Sequence, residues 1–241
     1  DLFNTYSTQS NGGMPKVFLS EEGNKYVPWS KWSTDNKYNP ELFNDSGIRA
    51  GDVADFDNDG DEDLILQCYN KYCFGDPNEQ YYADRHSDYD WDPVGVDSSN
   101  GFVLINKDGD LSMENAIHFP KTPLGTNTKN DDMHVGDING DGFVDVVSVY
   151  GKSDPYYVDR KIQILINKDG TSLVDETDSR MPTDLRDENS GHAEGLIMLV
   201  DYDGDGDLDI YDFQAGVREG KYQDKSADYP YGRNGEAIFI N

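Results

Sequence analysis

The sequence predicts an all-β protein assembled from three copies of one four-stranded unit, and three observations predict it. A nine-residue acidic stretch, Asp55 to Asp63, recurs as Asp137 to Asp145 and again as Asp201 to Asp209. Each copy lies between two short apolar segments of strand length, with no helical period in either flank. A second motif, an apolar run ending in Asn-Lys-Asp-Gly, recurs out of phase with the first at 102–109 and 162–170.

The acidic stretches come first because they mark the repeat. The first, Asp55-Phe56-Asp57-Asn58-Asp59-Gly60-Asp61-Glu62-Asp63, holds five aspartates and a glutamate in nine residues. Such a density repels itself unless a cation sits inside. Oxygen-bearing side chains occupy positions 1, 3, 5 and 9 of every copy: Asp55, Asp57, Asp59 and Asp63; Asp137, Asn139, Asp141 and Asp145; Asp201, Asp203, Asp205 and Asp209. Glycine always stands at position 6, where it lets the backbone fold tightly around an ion. Position 7 varies in chemistry (Asp61, Phe143, Asp207), as expected of a residue that offers only its backbone carbonyl. Ca²⁺ takes six to eight oxygens, and no His or Cys joins the set, so three Ca²⁺ sites are expected. Helical EF-hands are disfavoured, because position 12 is Leu66, Ser148 or Asp212 instead of glutamate and the flanks read as strands. Acidic surface turns without metal are the remaining alternative.

The strands follow from the loops. Residues 47–50, 133–136 and 196–200 form a strand A before each loop, and 64–67, 146–150 and 208–213 a strand B after it. Strand C opens the second motif, and Asp-Gly turns it into a strand D that starts near Leu111 or Leu173. Val17 to Gly23 is a looser copy of strand C, and Ala237 to Asn241 begins another. From strand C to the next acidic loop the spacings are 38, 35 and 39 residues, nearly constant. From each loop to its own strand C they are 47, 25 and 36 residues, so the length variation sits between B and C. Two insertions result, 71–100 and 215–235, rich in Tyr, Asp, Gly and Pro and without strand or helix period. Long loops on a rigid scaffold are the usual home of function.

The loop sequence Asp-Phe-Asp-Asn-Asp-Gly-Asp-Glu-Asp-Leu at 55–64, with its two copies, resembles the FG-GAP/VCBS repeats, including those of integrin α-subunit propellers. The resemblance covers essentially residues 15–241. It implies β-propeller-type blades of four strands, with Ca²⁺ in each A–B loop and the B–C loops on the opposite face, where family members tend to bind ligands. The organisation expected is one domain over 1–241, with repeats at about 47–119, 131–180 and 193–241 and a partial blade at 15–30. Propellers use four to eight blades, and only three full repeats are present. The chain also opens near a strand C with no A–B pair before it. Either the propeller is incomplete here as part of a longer one, or a neighbouring chain completes it by strand addition.

Composition narrows the partners. With 20 basic and 48 acidic residues the net charge is −28, and three Ca²⁺ ions would offset six of those charges. A surface this anionic excludes nucleic acid and anionic membranes as partners. No run reaches the ~18 apolar residues of a membrane span, so no membrane insertion is expected. Asp1 opens the chain without a charged-then-apolar signal region, so an exported protein would already have lost it. Cys68 and Cys73 bracket four residues, a spacing that can close a small disulfide in an oxidising compartment, and that disulfide is expected over the alternative of two thiols that never meet. Millimolar Ca²⁺ is itself an extracellular condition, so the expected location is extracellular, secreted or at the cell surface.

Within the insertions, Tyr81, Tyr82, His86, Tyr89 and Trp91, then Tyr222, Tyr229 and Tyr231, mix aromatic rings with acid and amide groups. That mixture suits stacking on a glycan or a protein, and it suits packing the loop onto its own blade. His86 stands among Asp84, Arg85, Asp88 and Asp90, a set compatible with acid–base chemistry on a sugar. In a chain with 48 carboxylates such neighbours arise by chance, and no catalytic residue is assigned. The leading expectation is an extracellular, calcium-stabilised module that binds a glycan or protein ligand, or copies of itself, through its B–C loops. A polysaccharide lyase or hydrolase propeller is one alternative. A structural subunit polymerising through incomplete terminal blades is the other.

Overall fold

A computed structural model describes residues 2–4, 16–21, 25–28, 48–68, 101–107, 110–111, 116–124, 128–152, 158–181, 196–213, 237–239 and 241. Within them the chain is all-β. Strands β1 (Leu2–Asn4), β2 (Lys16–Glu21) and β3 (Lys25–Pro28) form an antiparallel sheet. Strands β4 (Ile48–Ala54), β5 (Asp63–Cys68) and β6 (Gly101–Leu104) begin the next sheet. A small hairpin of β7 (Asn106–Lys107) and β8 (Asp110–Leu111) follows, and β9 (Ile117–His118) returns to pair with β6. The central sheet is a four-stranded meander of β10 (Thr128–Gly136), β11 (Asp145–Lys152), β12 (Val158–Lys168) and β13 (Ser172–Asp175). A single helical turn, α1 (Thr177–Arg180), precedes the last described sheet of β14 (Ile197–Val200), β15 (Asp209–Asp212) and β16 (Ala237–Phe239).

The strand–loop–strand–strand order expected around each acidic loop is present in all three cases, with every pairing antiparallel. Two expectations are corrected. Leu111 does not open the fourth strand of its sheet. It belongs to the β7–β8 hairpin, and β9 pairs with β6 instead. A strand also precedes Val17: β1 pairs with β2, Leu2 opposite Phe18. Three residues are too few to show a period, so β1 left no sequence signal.

The central sheet is buried on both faces, which explains why Val146-Val147-Ser148-Val149-Tyr150 reads as a nearly continuous apolar run. Val146 and Leu165 pack on one side with Phe56, Ile65 and Val103 from the preceding sheet. Val147, Val149, Ile162 and Ile164 pack on the other side with Ile197 and Ile210 from the following sheet. Side chains alternate along a strand, so a single strand feeds two cores. The leading strands also meet: β4 lies against β10, and β10 against β14.

Buried polar contacts also cross between sheets. Gln67 on β5 donates to Ser148 Oγ and to Val149 O on β11. Arg160 on β12 donates to Asp212 Oδ2 on β15 at 2.6 Å, and both side chains are fully buried. Removing one partner of a buried pair strands the other charge in a low dielectric, at a cost of about 3–5 kcal/mol, whereas replacing both with apolar residues is often neutral. Asp212→Ala is therefore expected to lose about that much in urea unfolding. The Arg160→Met/Asp212→Leu double variant is expected to recover most of it, and equal losses in the single and double variants would contradict this reading.

Candidate metal centre

The acidic loops connect β4 to β5, β10 to β11 and β14 to β15, and they share one backbone solution. Each carries two residues in the left-handed region, at positions 4 and 6. These are Asn58 (φ 58°) and Gly60 (φ 99°), Gly140 (73°) and Gly142 (92°), Gly204 (80°) and Gly206 (102°). Asparagine and glycine tolerate that conformation, and together the two turns point successive N–H groups inward.

Those N–H groups position the carboxylates. The position-1 aspartate accepts from the residue at position 6 in every loop: Gly60 N to Asp55 Oδ2 at 3.0 Å, Gly142 N to Asp137 Oδ2 at 2.8 Å, and Gly206 N to Asp201 Oδ2 at 3.2 Å. The position-5 aspartate accepts from position 7: Asp61 N to Asp59 at 2.9 Å, Phe143 N to Asp141 at 2.9 Å, Asp207 N to Asp205 at 3.0 Å. The loops thus hold their acidic side chains in place with main-chain donors before any ligand is considered.

Position 9 is different. Asp63 and Asp145 are 0% exposed and Asp209 is 1% exposed. One oxygen of each accepts the N–H of position 2: Phe56 at 2.8 Å, Ile138 at 3.0 Å, Tyr202 at 2.9 Å. The other accepts the N–H of an asparagine at the end of strand C: Asn106 at 2.7 Å, Asn167 at 2.8 Å, Asn241 at 2.9 Å. This aspartate closes the loop on itself and bolts it to its own sheet. Burial pushes the Asp63 and Asp145 carboxyls up to about 6, against the lowering effect of the N–H bonds they accept. Burial likewise raises Asp57, with the Asp59 and Asp55 charges adding to it.

The side chains converge. Carboxylate oxygens of Asp55, Asp57 and Asp59 lie within 4.8 Å of one another, as do those of Asp201, Asp203 and Asp209. In the second loop position 3 is Asn139, whose amide donates to Asp141 Oδ2 at 2.9 Å. Three carboxylates at such range repel one another by several kcal/mol at intermediate dielectric. Asp57 Oδ1 is buried and accepts no hydrogen bond. A buried, unpartnered carboxylate oxygen beside two further carboxylates fits a hard cation, and the donor set holds oxygen alone.

The three loops on successive sheets, each closed by a buried aspartate, decide the comparison. Residues 137–211 match the FG-GAP-like repeat. The match begins on the first aspartate of the second loop and runs through the third loop into β15. No curated protein matches the chain. The matched span holds the second and third acidic loops, and the first lies outside it. In all three, positions 1, 3 and 5 lie in the A–B turn and the position-9 aspartate opens strand B. The proposed ligand-binding residues Tyr81, Tyr82, His86, Tyr89, Trp91, Tyr222, Tyr229 and Tyr231 lie outside the described residues, as does Cys73. His134 sits on β10 with Nε2 3.8 Å from Asp132 Oδ2, and Asp132 accepts the N–H of Ile197 at 2.9 Å, a link between neighbouring sheets.

Sequence reading missed the asparagines. Asn167 Nδ2 donates to Val144 O of its own loop at 3.1 Å and to Phe56 O of the preceding loop at 2.8 Å. Asn241 Nδ2 likewise donates to Ile138 O of the preceding loop. The signal was available: Ile-Asn ends strand C at 105–106, 166–167 and 240–241. It was assigned to the turn that follows rather than to the loop behind it.

Proposed function

We propose that the chain is an extracellular β-propeller-type module whose three acidic loops each bind Ca²⁺ and whose long B–C loops carry the ligand site. The observation that carries the cation part is the Asp55–Asp57–Asp59 cluster with its buried, unpartnered Asp57 oxygen. Asp55, Asp57, Asp59 and Asp63 would hold the first ion, Asp137, Asn139, Asp141 and Asp145 the second, and Asp201, Asp203, Asp205 and Asp209 the third. Backbone carbonyls at Asp61, Phe143 and Asp207 would complete the sets. Bound Ca²⁺ supplies charge neutralisation and a cross-link; the residues themselves set the geometry through their N–H bonds.

The propeller part is supported by the sandwiched central sheet and by contact between successive leading strands. The ligand part is supported by topology. Strand β5 leaves the acidic loop at Asp63 and ends at Cys68, so the insertion at 71–100 starts from the end remote from the cation loop. Strand β15 likewise runs from Asp209 beside its acidic loop to Asp212, which supports the same reading for the 215–235 insertion. The charge of −28 favours neutral glycans or basic protein surfaces as ligands, and no helix among the described residues is long and apolar enough to cross a membrane. Calorimetric titration with Ca²⁺ tests the first part, with three ions per chain expected. Binding to a glycan and matrix-protein array tests the second, with signal expected to vanish when 71–100 is replaced by a short Gly-Ser linker. No bound calcium, or array binding unaffected by that replacement, overturns the respective part.

The pH response of the metal-free protein follows from the buried aspartates. The folded values of Asp63 and Asp145, about 6, lie above the ordinary 3.8. A raised carboxyl contributes stability that is complete below the unfolded value and is lost as pH rises through the folded one. In EDTA the melting temperature is therefore expected to be higher near pH 5 than near pH 7. A melting temperature that instead falls as pH drops through about 6 would contradict this assignment.

A further inference from the structure

The three loops are not separate. Each is joined to the next by contacts that end on the residues around the cation set, and these contacts use side chains that are not themselves in that set. Asn58, at position 4 of the first loop, donates through Nδ2 to Gly142 O, at position 6 of the second, at 3.0 Å. Asn167 Nδ2 reaches Phe56 O of the first loop, while its backbone N–H holds Asp145 of the second. Asn167 Oδ1 also accepts Gly170 N at 2.8 Å and so fixes the C–D turn. That turn presses on the first loop: a Cβ at Gly170 would lie 2.5 Å from Asp57 Cα, and φ there is +70°. Only glycine lets this backbone approach the residue at position 3. The second link repeats between the second and third loops, where Asn241 holds Asp209 by its N–H and Ile138 O by its amide.

We propose that these contacts make the acidic loops a coupled array, in which a cation bound in one loop raises the affinity of the adjacent loop. The inference rests on the reading of the loops as Ca²⁺ sites and adds a regulation that this reading does not contain. An ion in the first loop draws Asp55, Asp57 and Asp59 together and orders positions 2 to 4. Those positions carry Phe56 O and Asn58, the two ends that hold Asn167 and Gly142. The second loop then needs less ordering to close on its own ion, and coupling of this kind needs no large movement. Reciprocity requires the same factor in the other direction. Direct repulsion between two bound ions acts oppositely, but it is screened over about 8 Å at physiological ionic strength. The sign read in the titration reports which of the two is larger.

The test is calorimetric titration with Ca²⁺ at physiological ionic strength, on the whole chain, for the wild type, Asn58→Gly and Asn167→Ala. Asn58→Gly keeps the left-handed backbone and every cation oxygen, and removes only the bond to Gly142. The wild type is expected to bind with a Hill coefficient above one, later ions binding about fivefold or more tighter than the first after statistical correction. Asn58→Gly is expected to bind the same number of ions with the Hill coefficient reduced towards one. Asn167→Ala, checked for folding by circular dichroism, is expected to reduce it further. Several ions bound independently in the wild type, or undiminished cooperativity in Asn58→Gly, overturns the coupling and leaves the calcium reading standing. No calcium bound in the wild type overturns both.

Discussion

Chelating divalent cations with EDTA is expected to lower the melting temperature by about 15–30 °C relative to the protein in excess Ca²⁺. The magnitude follows from mass action. Each site held at a hundredfold its dissociation constant adds about 2.7 kcal/mol, and three sites add about 8 kcal/mol. In a domain of this size each kcal/mol moves the melting temperature by about 2–4 °C. The direction follows from the loops. Asp55, Asp57 and Asp59 are held at mutual range by their own backbone, so their repulsion cannot relax without opening the turn. An ion converts that repulsion into a cross-link between strands A and B. Differential scanning calorimetry in both conditions measures it, and an unchanged melting temperature would remove the structural role assigned to the cation.

Asp145→Asn is expected to lose about 3 kcal/mol, measured by urea unfolding in EDTA. Chelation removes the metal contribution, so the loss reports the aspartate's own role. Both Asp145 oxygens accept buried backbone N–H groups, from Ile138 and Asn167. An isosteric amide must turn its NH₂ towards one of them, leaving donor against donor in a site with no exposure. Asp137→Asn, on a partly exposed residue of the same loop, is expected to cost under about 1 kcal/mol in EDTA. Equal costs at the two positions would refute the separation between a buried anchor at position 9 and a partly exposed aspartate at position 1.

The contrast between these two residues shows how far the sequence reaches. Spacing placed Asp137 and Asp145 in one nine-residue set, because a loop that surrounds an ion must bring oxygens to it at fixed intervals along the chain. Spacing did not separate them. Burial does, and burial depends on strand C arriving behind the loop with Asn167. The strands on either side were legible for the same local reason as the loops: apolar runs bounded by turn residues. The β7–β8 hairpin escaped, since which short run becomes the fourth strand is decided by pairing across the sheet, here β9 with β6, and not by the local pattern.

The sequence by itself determined the repeat, the all-β class, the glycine at position 6 and the oxygen-only donor set. All of these are encoded within a dozen residues, over which backbone geometry ties position directly to spacing. Only the tertiary structure decided that the loops are joined. Phe56 and Asn167 are 111 residues apart in the chain, and no local rule relates them. They meet because Val146 and Leu165 must bury one face of the central sheet against Phe56, Ile65 and Val103. That burial delivers Asn167 to the back of the neighbouring loop, where a buried carbonyl needs a donor.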